Sequence, residues 1–179
     1  ILNQLIESYG IIIRKTDIKI QNLNKVLLLC VDISAFRINL HHISVIQGQN
    51  MNSMEHYSKC STNHIVNAFL NILDNAIWWM EYSKTGNKKI YIDIIDEPLG
   101  YNSIIFADNG CGFTLPPELM IQPFISDKPE GTGLGLHLVN IIMKAQGGIL
   151  LFPDYREIGI PSEFSKGAVI QLAFKKEDK

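Results

Sequence analysis

Two asparagines and two glycine-containing segments in the middle of the chain carry the groups with the clearest chemical potential. Asn71 and Asn75 lie four residues apart in a segment with helical periodicity, so both side chains project from one helix face. Their carboxamide oxygens can ligate a hard cation such as Mg²⁺, and their N–H groups can donate to a phosphate. The same pair would also be unremarkable on the polar side of an amphipathic helix.

The first glycine-containing segment is Asp-Asn-Gly-Cys-Gly and directly follows a predicted strand. Asp108, at the strand end, can accept a hydrogen bond from an exocyclic amine such as that of adenine. Gly110 and Gly112 would let a planar ring approach the backbone, because no Cβ stands in the way. An ordinary turn is the alternative, since Asp-Asn-Gly is a common turn sequence.

The second segment opens a predicted helix. It consists of Gly131, Thr132, Gly133, Leu134, Gly135 and Leu136. Free backbone N–H groups at a helix N-terminus form an anion site that suits phosphates, and the two leucines would anchor the loop to the core. No Gly-Lys-Ser/Thr follows, so this is not a P-loop, and the βαβ context of a dinucleotide-binding fold is missing.

In this order and spacing the motifs resemble those of the GHKL (Bergerat-fold) superfamily, and specifically the catalytic domain of sensor histidine kinases. The similarity extends over about residues 43–174. Four boxes carry it: residues 71–76 resemble the N box, 108–113 the G1 box, 123–128 the F box and 131–136 the G2 box.

The resemblance implies ATP and Mg²⁺ as ligands and gives each motif a role. Asp108 would select adenine, with Gly110 and Gly112 lining the base pocket, and Asn75 would ligate the Mg²⁺. Lys128 and the backbone of residues 131–136 would hold the phosphates. Residues 113–130 would form a short mobile lid, and Phe124 within it would contact the nucleotide. Asn71 and Lys128 would be the catalytic residues.

Position 71 also separates two functions. Hydrolytic members of the superfamily place a Glu there to activate water, whereas the Asn71 amide cannot take up a proton near neutral pH. We therefore expect transfer of the γ-phosphoryl group to a histidine on a helical hairpin outside this sequence. Asp74 is a less favoured base, because it lies about 100° around the helix from Asn75. The alternative is an ATP-gated conformational switch or a slow ATPase.

Three features depart from the histidine-kinase pattern. None of the five histidines is followed by an acidic residue, as the phosphoacceptor of these kinases is; they are His41, His42, His56, His64 and His137. Ala168 stands where these kinases often have a Thr whose hydroxyl supports the adenine-binding Asp. Trp78 and Trp79 replace a basic or aromatic pair, and we expect one to fill the core and the other to be exposed.

Composition restricts the partners. The net charge of -2 provides no general attraction for nucleic acid or an anionic membrane. Three widely spaced cysteines argue against a disulfide framework, and no apolar run approaches the roughly 20 residues of a membrane span. We expect a cytoplasmic domain of a longer protein, and the sequence leaves open whether that protein is anchored in a membrane. A phosphoacceptor domain is the implied partner, and a response regulator and a homodimer formed through missing regions stay open.

Hydrophobic periodicity predicts a two-layer α/β sandwich, in which a mixed, mostly antiparallel sheet is covered on one face by about three helices. Residues 1–21 are expected to be a linker or the tail of a preceding helix, and residues 22–179 the ATP-binding domain. Helices are predicted over 22–37, from 61 or 62 to 80, and over 134–146. Strands are predicted over 42–47, 88–96, 101–107, 148–152 and 168–174.

Overall fold

The structure, a computed structural model, describes residues 17–178. Its strands are β1 (Lys19–Asn22), β2 (Ser44–Gln47), β3 (Tyr57–Cys60), β4 (Lys89–Ile95), β5 (Tyr101–Asp108), β6 (Ile149–Leu151) and β7 (Val169–Lys175). Its helices are α1 (Leu23–Leu40), α2 (Thr62–Tyr82), the single-turn α3 (Pro117–Met120) and α4 (Gly135–Ala145). No helix among these residues is long and apolar enough to cross a membrane.

Five strands form the main sheet, in the order β2-β4-β5-β7-β6. β2 runs parallel to β4, and every other neighbouring pair is antiparallel. The predicted mixed, mostly antiparallel sheet is therefore confirmed. α1, α2 and α4 bury their apolar sides against one face of this sheet in the main hydrophobic core, as the two-layer prediction requires.

The opposite face of the sheet is also covered. Alternation in β4 predicts a half-buried strand, yet Tyr91 and Asp93 are both buried. Ile160 and Phe164, from the connection between β6 and β7, pack with Tyr91 in a second apolar cluster. Asp93 accepts hydrogen bonds from the Tyr91 hydroxyl (3.0 Å) and from the Asn50 amide (3.2 Å), which satisfy its carboxylate inside that layer.

A second, two-stranded sheet was not predicted. β1 pairs antiparallel with β3, with Lys19 opposite Cys60 and Asn22 opposite Tyr57. The expected boundary between residues 21 and 22 therefore falls inside β1. The rest of the expected linker, residues 1–16, lies outside the described part of the chain.

The first residue of α1 and the last residue of α4 lie within one residue of their predicted positions. The Asn22 side chain accepts from the Lys25 backbone N–H (3.2 Å) and caps α1. α4 ends where Gly147 adopts a φ of 68°, and the Gly148 N–H then donates to the Met143 carbonyl (2.9 Å). The glycines thus end the helix within one residue of the predicted position, 146.

Candidate nucleotide-binding site

Asp108 occupies the last position of β5, on a central strand of the main sheet. Its carboxylate is buried, and Oδ1 accepts hydrogen bonds from the backbone N–H of Gly110 (2.8 Å) and of Ala168 (3.3 Å). Burial raises the pKa of Asp108 to about 6, against the lowering effect of these two donors. Within residues 17–178 Oδ2 has no hydrogen-bond partner, so it can accept from a ligand.

Glycines make room around this carboxylate. Gly112 has a φ of 77°, and a Cβ there would lie 2.7 Å from the Lys166 carbonyl oxygen. At Gly167 the approach is closer still, since a Cβ would lie 1.6 Å from the Asp108 backbone oxygen. Gly112 lines the cavity as predicted, whereas Gly110 contributes its N–H to Asp108 without lining the cavity itself.

Ala168, which stands where histidine kinases often have a Thr, still supports Asp108 through its backbone. A side-chain hydroxyl is indeed missing at Ala168, but its backbone N–H donates to Asp108 instead. Gly167 permits this contact because the two chain segments approach too closely for any side chain. The loss of a Thr at this position therefore leaves Asp108 with two backbone donors.

Asn71 and Asn75 both line the cavity from α2, which confirms that they share one face of that helix. The Asn71 amide N–H donates to the Asn67 carbonyl (2.8 Å). The Asn75 oxygen accepts from the Lys128 ammonium group (2.6 Å). A Cβ built on Gly135 would lie 3.4 Å from Asn75 Nδ2 and 3.5 Å from Asn71 Oδ1. The start of α4 thus lies against both amides.

All six residues of the second glycine segment, 131–136, line the cavity. Gly133 has a φ of 66°, and a Cβ there would lie 2.5 Å from the Ile125 backbone nitrogen, so only glycine fits. α4 begins at Gly135 without a side-chain cap. The N–H groups of a first helical turn lack intrahelical acceptors, and this helix start lies against the two asparagines, which suits an anionic ligand.

Residues 113–130, called the lid segment below, connect the two glycine-containing segments and supply several residues that line the cavity. Lys128 is half-buried and lies with its Nζ 5.2 Å from the centre of the Trp78 ring. Burial lowers the pKa of Lys128, and the nearby Asp74 opposes that change. Phe124 differs from the prediction: it is 53% exposed, has a φ of 66° and does not line the cavity.

The cavity has a volume of about 480 Å³, within the usual range for small-molecule sites. One end offers a buried carboxylate and the other a lysine, two carboxamides and a helix N-terminus. This polarity matches a base at one end and phosphates at the other. No group of three or more His, Cys, Asp or Glu side chains among residues 17–178 could hold a metal ion. A cation here would therefore need ligand oxygens in addition to those of the protein, as Mg²⁺ bound to a nucleotide does.

Several cavity residues were not predicted, because single apolar positions carry no motif. Trp79 lines the cavity, and Ile170 and Leu138 add apolar surface from β7 and α4. Trp78 and Trp79 are both half-buried, so the expectation of one core and one exposed indole is wrong. The sequence shows that the two tryptophans are adjacent, but it does not show that Trp78 contacts Lys128 of the lid segment.

The other titratable side chains singled out in the sequence have partners of their own. Asp74 lines the cavity, but its Oδ1 accepts from Arg37 Nη1 (2.7 Å). The His41 ring contacts Glu81 (3.1 Å), and the His137 ring contacts the Ile121 carbonyl oxygen (2.9 Å). Neither histidine lines the cavity.

The fold and the site together define a class of ATP-binding protein, and the comparisons with known proteins agree. The chain belongs to the family of histidine kinase-, DNA gyrase B- and HSP90-like ATPases, whose family model matches residues 60–178.

Its curated relatives include sensor kinases. A candidate NtrY-like sensor histidine kinase of Rickettsia conorii is 30% identical over 118 residues, which cover 64% of this chain and 18% of that protein. Sporulation kinase E of Bacillus subtilis is 32% identical over 114 residues, or 63% of this chain and 14% of the kinase. The chain therefore spans less than a fifth of the length of these relatives.

Solved structures show the same fold. The mycobacterial sensor histidine kinase MprB has a TM-score of 0.64 at 20% identity, over 90% of this chain and 99% of that one. Full-length ShkA in complex with AMPPNP has a TM-score of 0.70 at 17% identity, over 99% of this chain and 37% of that one. The predicted membership of the GHKL superfamily and the histidine-kinase-like fold are thus confirmed.

Proposed function

We propose that this chain binds Mg-ATP and transfers the γ-phosphoryl group to a histidine on a helical hairpin outside the sequence. The observation that carries the proposal is the polarity of the cavity. A buried carboxylate with a free oxygen, Asp108, stands at one end, and Lys128, Asn71 and Asn75 stand at the other. Related chains with this fold are named as sensor kinases, which supports the same assignment.

At the base end, Asp108 Oδ2 would accept from the exocyclic amine of adenine. Oδ1 is fixed by the N–H groups of Gly110 and Ala168, so the carboxylate is oriented before the ligand arrives. Gly112 keeps the backbone open to the ring. A guanine would present a carbonyl oxygen to Asp108 and leave two acceptors facing each other, so the site should discriminate against it.

At the phosphate end, the backbone N–H groups of residues 131–136 and the Lys128 ammonium group would neutralise phosphate charge. Asn75 would supply an oxygen to Mg²⁺, which stabilises charge on the phosphoryl oxygens when bound. These donors would hold the γ-phosphoryl group in line for an incoming nucleophile.

Asn71 favours transfer over hydrolysis. Its amide lines the cavity next to Asn75 and donates to the Asn67 carbonyl, so no side chain at this position can take a proton from water. A neutral imidazole needs little base assistance, because its attacking nitrogen already carries a lone pair. We place the domain in the cytoplasm, where ATP is available, within a longer and membrane-anchored or freely diffusing protein.

The alternative to phosphoryl transfer is an ATP-gated switch or a slow ATPase. In an ATP-gated switch or slow ATPase, nucleotide binding would rearrange the lid segment and alter contacts with a partner. The contact between Lys128 and Asn75 favours this alternative, since it joins the lid segment directly to α2.

One labelling experiment separates the two. The longer protein is incubated with Mg-ATP labelled at the γ-phosphate, with Asp108→Asn as the variant deficient in binding. Acid-labile, base-stable label on the wild-type protein alone would identify phosphohistidine and support transfer. Label found only as free phosphate, or retained on ATP, would refute the kinase proposal in favour of the switch or slow ATPase.

A further inference from the structure

The side chain of Lys128 is held by two groups of α2. Its Nζ donates to Asn75 Oδ1 (2.6 Å) and lies 5.2 Å from the centre of the Trp78 ring. Within residues 17–178 no carboxylate forms an ion pair with it, although Asp74 is near enough to favour its charged form. The ammonium group is thus held by an amide oxygen and an aromatic face.

Trp78 is itself fixed by neighbouring rings. It stacks on Tyr82 with a centroid distance of 5.0 Å and an interplanar angle of 11°. It also meets Trp79 edge to face, with centroids 4.6 Å apart. Because Trp79 lines the cavity and Trp78 does not, Trp78 contacts the site through Lys128. A preorganised indole is the best aromatic partner for a cation.

Asn75 cannot serve Lys128 and a divalent cation equally well at the same time. Mg²⁺ binds oxygen ligands at about 2.1 Å, so a cation on Asn75 Oδ1 would lie less than about 5 Å from the ammonium group. Two positive charges at that distance repel each other. Lys128 must therefore leave the Asn75 oxygen when the cation occupies it, and a phosphate oxygen is the acceptor that the proposed site would offer.

We propose that Trp78 is a positioning residue that holds Lys128 on Asn75 and so makes the lid segment compete with Mg²⁺ for the Asn75 oxygen. This inference rests on the proposed Mg-ATP site for its consequence, but the contact among the three side chains stands independently of any ligand. Trp78 would in this way set how much Mg²⁺ the domain needs before it retains nucleotide.

The contact can be tested without nucleotide. The chain has two tryptophans, so in a Trp79→Phe background the tryptophan emission comes from Trp78 alone. Replacing Lys128 by Met in that background removes the cation over the ring, and Lys144→Met is the matched control on an exposed residue of α4. We expect Lys128→Met to change the Trp78 emission intensity or maximum and Lys144→Met to leave both unchanged. Identical spectra for the two variants would refute the contact.

The competition is tested by calorimetric titration of ATP at a series of Mg²⁺ concentrations. Loss of a partly exposed cation–aromatic contact predicts that Trp78→Leu lowers the Mg²⁺ concentration for half-maximal ATP binding by about two- to fivefold. Trp78→Tyr, which keeps an aromatic face, should stay close to wild type. An unchanged or higher Mg²⁺ requirement in Trp78→Leu would refute the proposal. If the wild-type chain binds no ATP, the proposed function fails, whereas the emission experiment still decides whether Trp78 holds Lys128.

Discussion

Asp108→Asn should stabilise the fold at neutral pH while it removes nucleotide binding. The Asp108 carboxylate is buried, and burial raises its pKa from 3.8 to about 6. At about 1.4 kcal/mol per pH unit, this difference corresponds to about 3 kcal/mol of destabilisation once the group is ionised in both states. Asn keeps an oxygen that can accept from Gly110 and Ala168, and it carries no charge to desolvate.

The direction of the pH dependence of stability follows from the number of protons bound in the folded and unfolded states. Since the folded-state pKa is the higher one, the native protein binds more protons than the unfolded chain between pH 3.8 and about 6. The wild type therefore loses stability through this group as the pH rises across that interval, and the full cost is present above pH 6. The advantage of Asp108→Asn over wild type should then grow by about 1–2 kcal/mol between pH 5 and pH 8.

Urea unfolding of both proteins at pH 5 and pH 8, without nucleotide, measures this difference. Asp32→Asn, which replaces an exposed carboxylate on α1, controls for the loss of a negative charge. Calorimetry with Mg-ATP should show at least a roughly 100-fold weaker affinity for Asp108→Asn, because an amide N–H replaces the free acceptor that faces the cavity. A stability difference that is equal at the two pH values would refute the buried-charge argument. Unchanged ATP affinity would refute the role of Asp108 in adenine recognition.

Three further outcomes follow from the site. ATP affinity of the wild type, measured by calorimetry, should fall as the pH drops below about 6, because protonation of Asp108 removes its ability to accept at both oxygens; an affinity that stays constant down to pH 5 would contradict this. Gly167→Ala should cost about 3 kcal/mol or more in urea unfolding, since its Cβ would lie 1.6 Å from the Asp108 backbone oxygen, whereas Gly86→Ala, with nothing within 4 Å, should cost little. Lys128→Met should weaken ATP binding by roughly tenfold or more and leave adenosine binding unchanged, because the ammonium group lies at the phosphate end; equal losses for both ligands would place it elsewhere.

The chemistry of the site could be predicted where it depends on local sequence. The four-residue spacing of Asn71 and Asn75 fixes a shared helix face whatever else surrounds it. The position of Asp108 follows from a short apolar strand that ends at turn residues, and the glycines of residues 131–136 follow from the helix start they precede. Each of these inferences needs fewer than ten consecutive residues.

Contacts between distant segments could not be predicted in the same way. β1 pairs with β3, which lies about 40 residues later in the chain, and neither strand has enough alternation of apolar and polar residues to be predicted. The burial of Tyr91 depends on Phe164, more than 70 residues later. The close approach of Gly167 to Asp108 and the contact of Lys128 with Asn75 are likewise tertiary. Periodicity describes one element at a time and contains no information on which segment covers it.

The two ends of the cavity belong to structurally different parts of the domain, and this decides how the site can respond to a ligand. Asp108 lies on a strand hydrogen-bonded on both sides, by β4 and β7, and its donors come from the same sheet region. Lys128 comes from the lid segment, whose only regular element is the single turn of α3. The base end is therefore rigidly preorganised, whereas the phosphate end depends on side-chain contacts that a ligand can exchange. A perturbation of Trp78 should for this reason change the Mg²⁺ and phosphate dependence of binding and leave the preference for adenine unchanged. A variant of Trp78 that altered base preference would show that the two ends are not independent.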